Sequence, residues 1–382
     1  MKKIFYCLTA ALAMAFASCS DWTEPEAKQM TRYNNTEIAK TETYYKALRD
    51  WKKTKHSITF GWYGGWSDPA ASTANMLSGI PDSMDVVSLW NGATNLSEGK
   101  RKDLEFVQKV KGTKIVMCSF TKWVGDGVTP AEYNESTEKR HEFWGWKDGD
   151  QESKEAAVRK YAQAFLDTIA KYNYDGFDID YEPHYGYGGE LASSQDLMKV
   201  FILELAKELG PMSPNPEKLL IVDGEPEFLH TELGPYLSYF VIQAYHESES
   251  GLDGRLNKGI NKFKSVLDEE TITNRYVMTE NLESAMDCLA GGYTFRKRDG
   301  RAASYKSLEG FARWQPLNGY LKGGCGGYHF DGEAANTPAY KWMRNAIQVM
   351  NPAVIKYYDL IQKRDEKDII DINSHRSHAH CV

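Results

Sequence analysis

The chain has 382 residues and a formal net charge of −7, and its isoelectric point lies near 5.8. With 42% hydrophobic and 26% charged residues, it is long enough to bury a sizeable core, as two average domains or as one large α/β barrel. The acidic balance excludes a polyanion, because nucleic-acid binding depends on clustered Lys and Arg, so we expect no nucleic-acid partner.

The N-terminus has the layout of a secretory signal. Two lysines precede an apolar run from Ile4 to about Ala17, and small residues lead to Cys19. The stretch "AFASC" resembles the lipobox of bacterial lipoproteins, in which the Cys becomes the acylated first residue of the mature chain. This resemblance implies a lipid anchor at Cys19 and a place in the cell envelope, on the outer membrane or the surface of a bacterium. Ordinary secretion with cleavage nearby is the alternative.

Composition then divides the chain into four parts. We expect a lipoprotein signal peptide over 1–18, a polar tether over 19–50, one folded domain over 51–352 and a peripheral tail over 353–382. The cysteines after the signal match no metal framework and are predicted to be free thiols, buried in the body of the protein. They are Cys118, Cys288, Cys325 and Cys381.

Within the folded domain, short apolar runs alternate with amphipathic segments. Eight runs are predicted strands: 57–63, 85–90, 113–120, 174–182, 218–225, 238–246, 275–281 and 323–330. Eight β/α units in about 300 residues predict a TIM (β/α)8 barrel, an α/β fold, with a doubly wound open sheet as the alternative.

Two helices have distinct sequence signals. The first precedes the fourth strand, where apolar residues recur at helical spacing. Its stripe consists of Val158, Tyr161, Ala162, Phe165 and Ile169. The second follows the eighth strand, where Thr337 and Pro338 fit an N-cap and the first helical position. Its predicted apolar face consists of Tyr340, Met343, Ile347 and Met350.

The fourth predicted strand contains three carboxyl groups at alternate positions. In "YDGFDIDYEP", Asp178, Asp180 and Glu182 share one face, while Phe177 and its alternating apolar neighbours share the other. Helices cover the outside of a barrel, so the acids are predicted to point inward, toward the mouth where barrel enzymes place their active sites. Pairing with inward Arg or Lys is one alternative. Calcium binding is another, although the spacing does not match an EF-hand loop.

These residues resemble glycoside hydrolase family 18. "DGFDIDYE" matches the DGxDxDxE signature that this family has on the fourth strand of a TIM barrel, and the likeness extends over most of 57–350. "VIQAYH" is similar to the sixth-strand segment that ends in a Tyr facing the substrate acetamido group, here Tyr245, with Gln243 beside it. "GGYHFDGE" is similar to the eighth strand of the endo-β-N-acetylglucosaminidase branch, where chitinases usually have a Trp in place of a residue such as Tyr328.

The resemblance implies a retaining, substrate-assisted mechanism in which the substrate's own 2-acetamido oxygen is the nucleophile. Glu182 would be the general acid and Asp180 the charged partner that orients the acetamido nitrogen. Asp178 would steady Asp180 from below, and Tyr245 would donate a hydrogen bond to the acetamido oxygen. No metal or organic cofactor is implied.

Aromatic residues follow the first three predicted strands, in loops that should surround the mouth. Indole faces stack on sugar rings, so these residues are predicted to bind substrate together with Gln243 and Tyr328. They are Trp62, Trp66, Trp90 and Trp123.

The function predicted from the sequence is cleavage of the β-1,4 bond in the GlcNAc-GlcNAc core of N-glycans, with a glycan or glycoprotein as partner. Only about 40 residues separate the last two predicted strands, room for one helix and a loop, whereas chitinases often insert a module there. A chitinase is one alternative. A glycan-binding lipoprotein without turnover is the other, although relatives that only bind typically lose the Glu or an Asp of the signature.

Overall fold

The computed structural model describes residues 40–352 except 69, 71, 91 and 186–188. The chain divides into two compact units, 1–47 and 48–382. Of the first unit, residues 40–47 are described, and they begin helix α1 (Glu42–Lys52), which spans the expected boundary at residue 50. The signal, Cys19, most of the predicted tether, the tail and Cys381 lie outside the described residues.

A closed barrel of eight parallel strands forms the centre of the second unit, in the order β1-β10-β7-β6-β5-β4-β3-β2. The TIM barrel prediction is confirmed, and the open sheet is excluded because β1 pairs with both β2 and β10. The barrel strands are β1 (Ile58–Tyr63), β2 (Val86–Leu89), β3 (Lys114–Phe120), β4 (Gly176–Tyr181), β5 (Leu219–Gly224), β6 (Tyr239–Gln243), β7 (Tyr276–Asn281) and β10 (Gly324–Tyr328).

Helices follow the strands and cover the outside of the barrel. After α1 they are α2 (Glu98–Phe106), α3 (Thr137–Trp144), α4 (Gln151–Tyr172), α5 (Gln195–Leu205), α6 (Glu249–Phe263), α7 (Glu269–Arg275), α8 (Ala285–Ala290), α9 (Ser307–Arg313) and α10 (Lys341–Met350). None of the described helices is long and apolar enough to cross a bilayer.

The stripe predicted before the fourth strand belongs to α4. Its five residues are buried, and Phe165 packs on Phe177 of β4 with ring centroids 4.4 Å apart. The helix begins where the Asp150 side chain accepts a hydrogen bond from the Ser153 N–H at 3.2 Å, and it ends at Asn173, which adopts a left-handed conformation. Both ends satisfy backbone groups that the helix leaves unpaired, so this prediction is confirmed.

The predicted start of the last helix is wrong. Helix α10 begins at Lys341 instead of after Thr337, and no side chain at its N-cap position accepts a hydrogen bond. The buried Glu333 takes that part, because its Oε2 accepts from the N–H groups of Trp342 at 2.8 Å and Met343 at 3.3 Å. A carboxylate from outside the helix thus satisfies its first donors, which a local sequence pattern cannot show.

The connection between β7 and β10 also differs from its prediction. It contains two helices, α8 and α9, with a hairpin of β8 (Thr294–Arg296) and β9 (Ala302–Lys306) between them. The hairpin turns at Asp299 and Gly300, whose φ of +81° suits glycine. Phe295 of β8 and Tyr305 of β9 stack on each other, with ring centroids 6.1 Å apart. The stretch is therefore more structured than one helix and a loop, yet it remains a short connection.

Strand alternation separates two apolar regions. One lies between the strands and the outer helices, and the other fills the lower part of the barrel interior, here called the lumen. Lumen residues include Phe60, Val86, Val116, Ile221 and Val241. The three cysteines among the described residues are buried and free, as predicted. Above the aliphatic layer the lumen becomes polar, and the candidate site begins there.

Candidate active site

Strand β4 carries its carboxyl groups on the lumen side. Phe177 and Ile179 belong to the outer apolar region, while Asp178 and Asp180 are 0% and 3% exposed among lumen residues. Glu182 follows the strand directly and lines a cleft at the mouth, together with Asp180. The predicted inward orientation of the three acids is confirmed by this arrangement.

Asp178 lies deepest and has neutral donors as partners. Its Oδ2 accepts hydrogen bonds from Trp62 Nε1 at 3.0 Å and from the Ser88 hydroxyl at 2.6 Å. Burial raises the pKa of Asp178 to about 6, and these bonds oppose the rise. A hydrogen bond to Asp178 therefore fixes the indole of Trp62, on β1, beside the carboxyl cluster.

Asp180 lies between Asp178 and Glu182. Burial raises its pKa well above the ordinary value, and the carboxyls of Glu182 and Asp178 add to the rise. A side-chain hydrogen bond between Asp180 and Glu182 acts in the same direction. Asp180 therefore keeps its proton to a higher pH than an ordinary carboxyl does, beside the Glu182 carboxyl at the mouth.

Gln243, at the end of β6, connects Glu182 to a fourth carboxyl. Its Nε2 donates to Glu182 Oε1 at 2.6 Å and to Asp223 Oδ1 at 3.0 Å. Both hydrogens of the amide are thus directed at carboxyl groups. Asp223 on β5 is 1% exposed and stands opposite Asp180 in strand register.

Tyr245 and Tyr328 form one side of the cleft. Their rings are nearly parallel, with an interplanar angle of 27° and centroids 6.3 Å apart. Burial raises the pKa of Tyr245, and the carboxyls of Asp223 and Asp180 raise it further. Its phenol therefore stays neutral and able to donate a hydrogen bond into the cleft.

The cleft has a volume of about 520 Å³ and aromatic walls. Trp62 and Trp90 meet the Tyr328 ring edge to face, with centroids 6.1 and 5.9 Å away. A cavity of this size suits a ligand of one or two rings, and its flat apolar walls beside carboxyl groups suit a sugar.

Two predicted tryptophans lie elsewhere. Trp66 is 5% exposed in the outer apolar region, and its Nε1 donates to Asp103 at 2.9 Å. No indole face is left for a sugar, so the substrate-binding prediction for Trp66 is corrected. Trp123 lines a neighbouring cavity of about 590 Å³ formed by the loops after β2 and β3, and this cavity shares Trp90 and Phe120 with the cleft.

Sequence reasoning missed several cleft residues. Asp223 ends the apolar run "LLIVD", so the same inward alternation that revealed the β4 acids would have found it. Ser88 and Phe120 follow that rule on β2 and β3. The other missed residues that line the cleft are Tyr185, Asn281 and Glu283, and they lie at or beyond strand ends where no period applies.

Pairing with inward cations was the structural alternative for the β4 acids. Within the described ranges, no Lys or Arg forms an ion pair with Asp178, Asp180 or Glu182. Oxygens of Asp178 and Asp223 and the Cys118 sulfur lie within 4.8 Å of one another, the spacing of possible metal ligands. Burial and Asp178 raise the pKa of Cys118 well above its ordinary value, so a metal bound there would have to displace the thiol proton.

Comparison with known proteins gives consistent matches. The family described as "Glycoside hydrolase family 18, BT1044-like" matches residues 23–349. Endo-β-N-acetylglucosaminidase F2 of Elizabethkingia meningoseptica is 23% identical over 79% of this chain and 84% of its own length. A solved structure described as "BT1044SeMet E190Q" is 32% identical with a TM-score of 0.70, covering 81% of this chain and 93% of the other. An endo-β-N-acetylglucosaminidase of Cordyceps militaris shares the fold at 23% identity and a TM-score of 0.56, covering 82% and 97%.

Proposed function

This chain belongs to glycoside hydrolase family 18, and we propose that it is an endo-β-N-acetylglucosaminidase that cleaves the β-1,4 bond between the two core GlcNAc residues of N-glycans. The observation that carries the proposal is the position of Glu182. It stands at the cleft with its Oε1 bonded to Gln243 at 2.6 Å and its carboxyl paired with Asp180.

Glu182 is the proton donor to the glycosidic oxygen. Asp180 brings a proton to the side of Glu182, because burial and the neighbouring carboxyls keep the pKa of Asp180 high. When an acetamido N–H reaches Asp180, that carboxyl gains a donor and the proton can reside on Glu182. The charge predicted for Asp180 then belongs to the substrate complex, and before substrate binds the proton is on Asp180.

The nucleophile is the acetamido oxygen of the substrate. Asp180 lies on β4, Glu182 directly follows that strand, and the two carboxyls share a side-chain hydrogen bond, so they do not flank a bond from opposite sides as in the two-carboxylate scheme. The neutral Tyr245 hydroxyl donates to the acetamido oxygen as that oxygen attacks the anomeric carbon. Water then opens the oxazolinium intermediate, with retention of configuration.

The rim of the cleft supports an N-glycan over chitin. The connection from β7 to β10 carries only a small hairpin and two short helices, so no large module walls the cleft into a tunnel for a linear polymer. Tyr328 stands where the resemblance associates Trp with chitinases. Names of similar proteins, including endo-β-N-acetylglucosaminidase F2, agree with this choice.

A glycoprotein panel tests the proposal. Purified mature protein is incubated with high-mannose, hybrid and complex N-glycoproteins and, in parallel, with chitin oligomers, and the released glycans are weighed by mass spectrometry. We expect glycan release from at least one glycoprotein class. Release of chitobiose from chitin without action on any glycoprotein would establish the chitinase alternative. Binding of glycans without any release would establish the non-catalytic one.

A further inference from the structure

Asp223 is a buried carboxyl that the mechanism above leaves without a role. Its Oδ1 accepts a hydrogen bond from Gln243, while its Oδ2 is buried with no hydrogen-bond partner. The Oδ1 of Asp178 is in the same situation. One oxygen of Asp178 and one of Asp223 lie within 4.8 Å of each other, so the two carboxyls are neighbours in the lumen.

Among the residues that the structure describes, other acids surround Asp223 and no Lys or Arg forms an ion pair with it. Its strongest charge interactions are with Asp180, Asp178 and Glu182, all of them carboxyls. The neutral groups that face it are the Gln243 amide on β6, the Tyr245 phenol beyond it and the Cys118 thiol on β3. Several ionised carboxyls cannot share a dry cluster without counter-charge, so protons must be held there.

We propose that Asp223 is a positioning residue that stays protonated, with its Oδ2 hydroxyl donating to the free Oδ1 of Asp178 and its Oδ1 accepting from Gln243. With one proton this arrangement satisfies the Oδ2 of Asp223 and the Oδ1 of Asp178, while the orphaned Oδ1 of Asp180 lies on the side of the acetamido group. A side-chain hydrogen bond from Asp223 acts to lower the pKa of Asp178, as expected when Asp223 is the donor. Burial and the neighbouring acids raise the pKa of Asp223 well above its ordinary value.

A protonated Asp223 determines where the negative charge of the carboxyl cluster lies, and its importance for catalysis rests on the proposed function. A neutral Asp223 leaves the negative charge on the β4 acids, where it faces the positive charge that develops on the acetamido group. It also holds one hydrogen of the Gln243 amide, so the other stays aimed at Glu182. An ionised Asp223 would add a third negative charge opposite Asp180 and weaken that alignment.

Infrared difference spectroscopy tests the proton directly and needs no substrate. The spectrum of the wild type minus that of Asp223→Asn, recorded between about pH 5 and pH 8, should contain the C=O band of a protonated carboxyl. Asp180→Asn is the matched control and should remove a different band while the Asp223 band persists. Absence of the Asp223 band, or its appearance only after EDTA treatment, would overturn the proposal, the second because a cation would then occupy the place of the proton.

Kinetics give a second measurement that a purely structural role would not reproduce. Asn has the same acceptor and donor as a protonated Asp, so kcat of Asp223→Asn should fall less than about fivefold. Asp223→Ala loses both contacts and should lower kcat by about 10²-fold. Rescue by Asn supports the neutral form, and an Asn variant as slow as the Ala variant would contradict it. If Asp223→Ala does not fold, the infrared band alone decides. A wild type with no glycosidase activity would instead refute the proposed function, with the band still interpretable.

Discussion

At the scale of single residues, Glu182 is the proposed general acid, and its neighbouring carboxyls cannot replace it. Asp180 and Asp178 are almost fully buried, whereas Glu182 is half-buried and lines the cleft. Only Glu182, among the β4 carboxyls, is placed to meet a glycosidic oxygen at the mouth. The others act through the acetamido group or through one another.

Glu182→Gln therefore separates binding from chemistry. The amide keeps the size and hydrogen-bonding shape of the side chain but has no proton to transfer, so kcat should fall by about 10² to 10⁴-fold while glycan affinity is kept. Affinity is measured calorimetrically with a short N-glycan, and hydrolysis by mass spectrometry. Tyr245→Phe is the matched comparison and should lose less, because it removes one hydrogen bond to an oxygen whose charge grows in the transition state. Hydrolysis by Glu182→Gln at the wild-type rate would show that the acid has been misassigned.

At the scale of elements, alternation along a strand was the most informative sequence signal. It placed Asp178, Asp180 and Glu182 correctly because two neighbouring positions of a strand must face opposite sides. The prediction for Trp66 came from its place in a loop, where no period applies, and there the indole is buried with its Nε1 donating to Asp103. Alternation gave no account of the start of α10 either, since Glu333 reaches that helix from outside it.

The loops after β2 and β3 form the second cavity, which shares Trp90 and Phe120 with the cleft. Trp123 lines it under two cations, with Lys122 Nζ 5.9 Å and the Arg140 guanidinium 5.6 Å from its ring centroid. We expect this cavity to hold a branch of the glycan on the Trp123 ring. The sequence predicted aromatic residues in these loops, but it could not predict the cavity, because the cavity forms only when the loops pack together.

Trp123→Ala should therefore affect large substrates more than small ones. Without the ring, KM for a fully branched N-glycan should rise by about tenfold, as expected for one lost stacking contact of 1 to 2 kcal/mol. For a substrate trimmed to its core, KM should change much less. Thermal unfolding of the variant is the control for damage to the fold. Equal changes in KM for both substrates would show that this cavity does not bind a branch of the glycan.

At the scale of the whole molecule, the barrel and the predicted lipoprotein signal belong to different parts of the chain. The eight predicted strands recur in the barrel with bounds shifted by at most three residues. The lipid anchor at Cys19 lies outside the described residues and is a proposal from the "AFASC" segment alone. A lipid-anchored glycosidase would meet glycoproteins at the bacterial surface.

Cys19→Ala tests the anchor. If Cys19 is acylated, the mature protein should partition into the detergent phase of a Triton X-114 extraction, and the variant should move to the aqueous phase. Cys7→Ala, which changes a cysteine inside the signal, is the matched control and should leave partitioning as it is. Partitioning that does not respond to Cys19→Ala would refute lipidation at this position.

Cleavage between the two core sugars leaves one GlcNAc on the asparagine, so the mass of the peptide product tests the proposed function directly. A purified N-glycopeptide is incubated with wild-type protein and with Glu182→Gln, and the peptide product is weighed by mass spectrometry. The account predicts that the wild type leaves a single GlcNAc on the asparagine and that Glu182→Gln leaves the glycopeptide intact. A peptide that keeps both core GlcNAc residues, or one that loses them both, would contradict it.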